Sequence, residues 1–590
     1  MKPTRINQFV TLLSSVFSPI LLLASVQSAR AADFFWDPVS TGSNTGSGGG
    51  IWNATNTNWF SGTTDVIWAT GNRPVFGGAD GPFVVTVADN FSTTGLLFNR
   101  SGYTLSAASA QTITTSGNTS LASGVVATIG SSVTVTRSSN DIITTASGSG
   151  GTLNIGSADQ SSTGAQLINT QSGSTGTRTL SITNGTIVNV NSGGYFGQSP
   201  GTAYVTATNP NGTSIVIGSA TGGSLVVKTG GTVTNGNNQA LILGGASASG
   251  MLTIDGGQVN AGAVTVGTTG VLPAASAYAG LRFGAGTANA SGTRTASLNG
   301  GTLTVGQIYT GTAAASPTFT NIFNFNGGTL QASIANTTFM TGLTTANVQV
   351  GGAKVDTNTF DITIGQALVH DTALGATLDG GLTKSSTGKL TLTNTNTYTG
   401  GTAIKNGSLA LDGVTRILAT SSVVLGDTGT TGKLVLGGAA VGTQTLASLT
   451  TTGLGGSVVG GNASTSTLTL SVATSNSFSG TLGGAGTSEN NLAIAKTDVG
   501  TLTLSGDNSY TGLTTVSTGA LNIQHANALG STTGGTTVAN VGSLQLQGGV
   551  VFAAEALTLN SNSSSTQNLL NVSGNNEWTG TITHVNVAPT

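Results

Sequence analysis

The sequence contains no cysteine among its 590 residues. That removes disulfides, thiolate-bound metals and thiol catalysis together, and it leaves no cysteine for a lipid anchor. Charge is scarce as well. Only 6% of residues are Asp, Glu, Lys or Arg, where a soluble domain carries about 25%. The 17 basic and 19 acidic residues form no block of either sign, so the clustered cations that neutralise nucleic-acid phosphates are missing. Glutamate occurs 3 times, at Glu489, Glu555 and Glu577. With Gly, Thr, Ser, Asn and Val dominating, the chain lacks the residues that build long helices. The 10 prolines and the absence of a Gly-X-Y period exclude collagen. An ordinary disordered chain is poor in apolar residues, whereas 37% are hydrophobic here. What remains is an extended, β-rich repeat protein held by a long hydrogen-bonded ladder.

The first 31 residues read as a secretory signal. Lys2 and Arg5 precede an apolar run from Phe9 to Val26 interrupted by Pro19, and Ala29-Arg30-Ala31 supplies a small-x-small cleavage site at Ala31. The run is too short and too interrupted for a spanning helix. Residues 32–105 hold four of the 5 tryptophans, Trp36, Trp52, Trp59 and Trp68, followed by Phe76 and Phe83. A solenoid needs a cap that closes its core and stops end-to-end growth, and aromatic clustering at one end predicts one. A Trp platform for sugar stacking is the rival reading of the same residues.

Residues 106–340 are rich in Gly, Thr and Ser. A Gly-Gly-x-Val/Leu step recurs at Gly230, Gly256, Gly300 and Gly327. Its spacing predicts coils of about two dozen residues, with one step skipped or degenerate between Gly256 and Gly300 and about two dozen coils in all. Each Gly pair reads as a tight corner rather than a phosphate cradle. Residues 341–590 carry a clearer repeat. KSSTGKLTLTNTNTYTGGTAIKNGSLAL at 384–411 aligns without a gap to KTDVGTLTLSGDNSYTGLTTVSTGALNI at 496–523, with 12 of 28 positions identical. The shared set includes Lys384/Lys496, Gly388/Gly500, Leu390/Leu502, Leu392/Leu504, Asn396/Asn508, Tyr398/Tyr510, Gly400/Gly512 and Leu409/Leu521. Leucines two apart share one strand face and are predicted to point into a core. The recurring lysines read as solvated edge residues. The asparagines read as turn residues bonding backbone or stacking on their equivalents in nearby coils.

Carboxylate pairs for glycoside hydrolysis must converge, and the aspartates are scattered. Of the three histidines, His370, His525 and His584, only His370 adjoins an acid. Asp371, as its strand neighbour, is predicted to point to the opposite face. The histidines therefore read as solvated turn residues, and no catalytic, cofactor-binding or metal-ligating residue is assigned.

The block Gly381-Leu-Thr-Lys384, Gly388-x-Leu-Thr-Leu392, Asn396-x-Tyr-Thr-Gly400 and Gly407-x-Leu409, with its second copy, closely resembles the autotransporter-associated β-strand repeat, also called the passenger-associated transport repeat. The N-terminal Trp36-Asp37, Trp52, Asn58-Trp59 and Phe76-Gly77 resemble the start of large secreted proteins carrying it. The resemblance implies an all-β, right-handed parallel β-helix or β-solenoid, exported in a Gram-negative cell and shown at the surface or secreted. Its role would be structural, adhesive or transport-supporting. The implied partners are cell-surface glycans or other surface proteins and the outer-membrane export machinery, with no cofactor and no nucleic acid. A conventional member ends in a β-barrel. The tract up to Thr590 does not read as one, which leaves open a barrel-less protein or a longer chain. A β-helical polysaccharide lyase or hydrolase is the alternative that the same fold permits.

Overall fold

A computed structural model of the chain describes residues 31–586 except 41, 44–45, 138–140, 146–150, 157–164, 170–177, 183–186, 191–193, 199–212, 219–221, 235–239, 245–248, 262–279, 285–291, 312–318, 553 and 562–567. The signal segment lies outside the described residues, up to its cleavage residue Ala31. From Leu96 onward the chain lays one short strand on each of three faces and returns to the first. Leu96–Phe98, Tyr103–Ser106 and Gln111–Thr115 make one such coil. Thr119–Leu121 then pairs in parallel with Leu96–Phe98 and begins the next. Repetition gives sheets of 19, 12 and 14 strands on the first, second and third faces. This is the parallel β-solenoid that the repeats predict.

Period-two alternation makes it work. In Gly223–Lys228 and Gly250–Asp255 the residues Leu225, Val227, Leu252 and Ile254 are buried while their neighbours face outward. The register stacks buried residues directly over one another. On the second face Leu225, Leu252, Ala296, Phe323, Ala346 and Leu368 form one column. The two alanines flank Phe323, so a large ring is accommodated by small neighbours above and below. All of these belong to one apolar core that runs from Trp36 to Leu557.

The Gly pairs are corners. Gly301 has φ +66°, and a Cβ there would lie 1.9 Å from Gly257 O, so both backbone sign and coil spacing require glycine. The expected skipped step does not exist. Gln258 pairs directly with Thr302, so Gly257 and Gly301 are in adjacent coils. The extra residues are an insertion within one turn, and Thr293 N reaches Ser249 Oγ across 44 positions of sequence. Elsewhere a turn takes 22 residues, as from Thr114 to Thr136, or 27, as from Thr304 to Gln331. Such insertions mean fewer coils than an even two dozen residues each would give. Periodicity counts residues, whereas the ladder counts only strands.

At the N-terminal end the edge is closed. Asp33–Trp36 lies parallel to Arg73–Phe76 on one side and antiparallel to Trp59–Phe60 on the other, and Trp59–Phe60 folds back on Asp65–Val66. Trp36, Trp52 and Trp59 are fully buried and Trp68 nearly so. Trp52 stacks on Phe91 at 4.6 Å and meets Trp59 and Trp68 edge-on at 5.0 Å. Buried edge to face against one another, these indoles form a cap rather than an exposed platform for a sugar.

Past His370 the second face loses its strand for two coils. Backbone bonds continue it nonetheless. Thr397 N donates to Leu368 O, Asn396 N to Arg416 O and Thr415 N to Thr443 O. A sheet of 10 strands then resumes at Thr443–Leu446.

Candidate functional site

Each copy of the repeated block folds back on itself. Leu382–Ser385 lies on the third face and Lys389–Leu392 on the first. The chain crosses the strandless side at Asn396–Tyr398 and returns. Thr402–Ile404 then pairs with Leu382–Lys384, and Ser408–Leu411 with Lys389–Leu392. The second copy repeats this, with Thr514–Val516 on Ile494–Lys496 and Ala520–Ile523 on Thr501–Leu504. Within about thirty residues the chain builds a strand and the strand that covers it, so pairing needs little loop closure. Leu390, Leu392, Leu409, Leu502, Leu504 and Leu521 all have no exposed surface.

The copies are not in phase around the axis. The first opens on the 14-strand sheet of the third face, the second on Leu492–Thr497 of the 10-strand sheet that continues the second face. The same local structure is thus turned by one face.

The lysines are the main correction to the sequence reading. Lys384 and Lys496 are not solvated edge residues but are fully buried. Each turns inward at a corner and caps it. Lys384 Nζ donates to Ser385 O at 2.9 Å, Ser386 O at 2.5 Å, Asn406 O at 2.9 Å and Thr357 Oγ1 at 3.0 Å. These acceptors come from three successive coils. Lys496 Nζ donates to Thr497 O and Asp498 O at 2.7 Å and to Thr518 O at 3.2 Å. The corner residues Ser386 and Asp498 have φ +65° and +70°, a conformation that aims consecutive carbonyls at one point. Burial draws the Lys384 ammonium down to about 8, against the opposing pull of Asp356 and Asp361. Burial lowers Lys496 too. The signal for this inward turn lies in the sequence. Leu382-x-Lys384 and Ile494-x-Lys496 keep the lysine in phase with the apolar face.

Asn396 and Asn508 act as brackets between coils. Asn396 Oδ1 accepts from Leu368 N at 2.8 Å, while Nδ2 donates to Arg416 O at 2.8 Å and Asn394 O at 2.9 Å. Asn508 Oδ1 accepts from Leu482 N and Nδ2 donates to Ala528 O. Both bond to backbone above and below rather than stacking on one another, which supplies on the strandless side the bonds a ladder would give. Tyr398 and Tyr510 are buried beside them, their hydroxyls 2.7 and 2.6 Å from Thr402 and Thr514 Oγ1. Gly388, Gly400, Gly500 and Gly512 sit where a Cβ would come within 2.6 Å or less of the adjoining coil's backbone.

His370 is placed differently from the solvated turn that its sequence suggests. Asp371 does turn away, to Gln349 Nε2 and Ala373 N. The partner of His370 is Asp379, whose Oδ2 lies 2.9 Å from Nδ1; Thr399 Oγ1 lies 3.1 Å from the same nitrogen, and Nε2 meets Gly375 O at 3.2 Å. A Ser-His-Asp triad needs the acid and the nucleophile on opposite ring nitrogens. Here both share one. Asp379 also accepts from Thr399 N, Gly400 N and Gly381 N. Burial alone would raise its carboxyl, but these bonds and His370 hold it below the ordinary range. The arrangement pins the loop between His370 and Gly381. His525 and His584 lie elsewhere, beside Asn527 and Ser561. Among the described residues no group of three or more His, Cys, Asp or Glu is placed to hold a metal ion.

Leu502→Ala should cost about 2–5 kcal/mol through the cavity it leaves, while Thr503→Ala, whose side chain leaves the core, should cost under about 1 kcal/mol. Because coils couple to nearest neighbours, limited proteolysis should find new cuts around residues 496–523 and none around 225–305.

Comparison with known proteins agrees with this geometry. The family model of the passenger-associated-transport-repeat matches residues 382–411 and 494–523. The match starts two residues before the repeat seen in the sequence, at Leu382 and Ile494, which are buried residues of the lysine strand itself. No curated protein and no solved structure matches the chain.

Proposed function

We propose that this chain is an exported, non-enzymatic β-solenoid of autotransporter-passenger type, shown at the surface of a Gram-negative cell or released from it. The solenoid displays structural or adhesive surfaces and the two repeats support transport. The observation that carries the reading is the repeat's self-covering coil, locked by a buried lysine and found twice on one continuous core. A chain that crosses a membrane unfolded needs segments that gain structure from nearby residues on the far side. Short-range pairing is the least costly way to start. The His370 cluster lends no support to hydrolase chemistry, because its bonds serve the loop.

Export is tested by expressing residues 1–590 in a Gram-negative host and measuring the mature N-terminus and location. The expected product begins at Ala32 and lies beyond the inner membrane. Deleting residues 496–523 should leave cleavage intact and lower the yield of protease-resistant exported protein. A full-length, uncleaved cytoplasmic product would overturn the export reading. An unchanged yield after deletion would overturn the role given to the repeat.

A further inference from the structure

In the last coils the chain turns from the first face onto the 10-strand sheet at a corner whose residues stack in a column. Thr514 N donates to Gly535 O at 3.0 Å, Thr536 N to Ala556 O at 2.8 Å and Leu557 N to Thr581 O at 2.9 Å. The residues preceding these acceptors stack likewise, as Gly534, Glu555 and Gly580, with Gly512 one coil above. Glycine suits the place. A Cβ on Gly534 would meet Gly512 O at 2.2 Å, and one on Gly580 would meet Glu555 O at 1.9 Å. Glu555 is the exception, a carboxylic acid within a column of glycines.

Its side chain turns inward and is 4% exposed. Thr536 Oγ1 donates to Glu555 Oε1 at 2.6 Å. Thr536 pairs with Thr514, whose hydroxyl meets that of Tyr510. The acid thus has the Thr536 hydroxyl as its hydrogen-bond donor, with the hydroxyls of Thr514 and Tyr510 in the coil above. The other titratable groups of these coils point elsewhere. His584 faces Ser561, and Glu577 lies in the strand that stacks on Val551–Phe552. Among the described residues no Lys, Arg or His forms an ion pair with Glu555. A carboxyl with one donor and no cation is far better buried neutral than charged.

We propose that Glu555 is a proton-operated joint that fastens the strands Leu557–Ser561 and Ile582–Asn586 to the solenoid when it is neutral and loosens them when it ionises. This goes beyond the passenger reading and does not depend on it. Burial pushes the carboxyl up to about 7, only partly offset by the Thr536 hydrogen bond. The folded coil thus keeps a proton that the opened coil gives up from its ordinary value of 4.5. The folded state binds more protons across that window. Its extra stability is complete below the lower value, falls as pH rises toward 7 and is gone above it.

Hydrogen exchange of the whole chain, corrected for the intrinsic pH dependence of amide exchange, reads this directly. Between pH 5 and pH 8 the opening equilibrium of Leu557–Ser561 and Ile582–Asn586 should rise roughly 50- to 100-fold, while residues 225–305 stay unchanged. Glu555→Gln keeps the neutral hydrogen bond and should hold the segment protected at both pH values. Glu555→Gly restores the glycine column and should also flatten the response. His584→Gln should leave it intact. A wild-type change below about threefold would overturn the proposal. So would an undiminished response in both Glu555 variants, or its loss in His584→Gln.

Discussion

Trp52→Ala should open the N-terminal end of the solenoid while its body stays folded. Trp52 has no exposed surface, stacks on Phe91 and meets Trp59, Trp68 and Phe76 edge-on. Removing so large a buried ring costs about 3–5 kcal/mol. Few neighbours can move in to fill the space, because the remaining rings are held by the strands of the cap. The expected readout is loss of the near-ultraviolet dichroism of the tryptophan cluster with faster hydrogen exchange over residues 33–105. Exchange over residues 353–411 should not change. Trp52→Phe should cost less than half as much. It keeps the stacking, and the indole Nε1 has no hydrogen-bond partner among the described residues. A uniform rise in exchange along the chain would mean that the cap and body fold as one cooperative unit.

Lys384→Met should destabilise the first repeat by about 2–4 kcal/mol, although it replaces a buried charge with a side chain suited to a core. The substitution spares the desolvation of an ammonium ion. It also leaves Ser386 O and Asn406 O aimed at a methyl group, whereas Ser385 O keeps Thr357 N and Oγ1, and each unsatisfied buried carbonyl costs about 1–3 kcal/mol. Two orphaned acceptors outweigh one charge returned to water. Chemical denaturation followed by exchange over residues 382–411 measures the effect. Lys496→Met should act in the same way over 494–523, leaving 382–411 untouched. A stability equal to or above that of the wild type would show that the charge, not its acceptors, dominates the corner.

The alternation of Leu390 and Leu392 with threonine was legible because strand periodicity translates directly into burial. The cap was legible from tryptophan density alone. Lys384 was misread because residue type outweighed position. Lysine is almost never fully buried unless paired, yet its phase with Leu382 placed it inside. The long turn between Gly256 and Gly300 was misread because an insertion and a skipped coil leave the same gap in a sequence. Asn396 as a bracket, and Glu555 among its glycines, needed the register between coils. That register follows from where each turn ends, not from local pattern. Asp379 as the partner of His370 lies nine residues away across a loop, where strand geometry gives no guide.

The turn by one face between the two repeats bears on how such a chain can grow. The copies lie 112 residues apart, a distance that is not a whole number of coils, and each closes its own corner with the equivalent lysine. The motif therefore carries its own frame of reference and takes no bearing from the side of the prism on which it lands. A gain or loss of a third of a turn elsewhere would rotate everything downstream without breaking it, provided the apolar phase within each strand survives. For a protein engineer, a repeat cut at Leu382 and Leu411 is a cassette that this chain already starts on two of the three faces. The compass direction of a displayed loop then becomes adjustable in steps of one side, independently of its height along the rod.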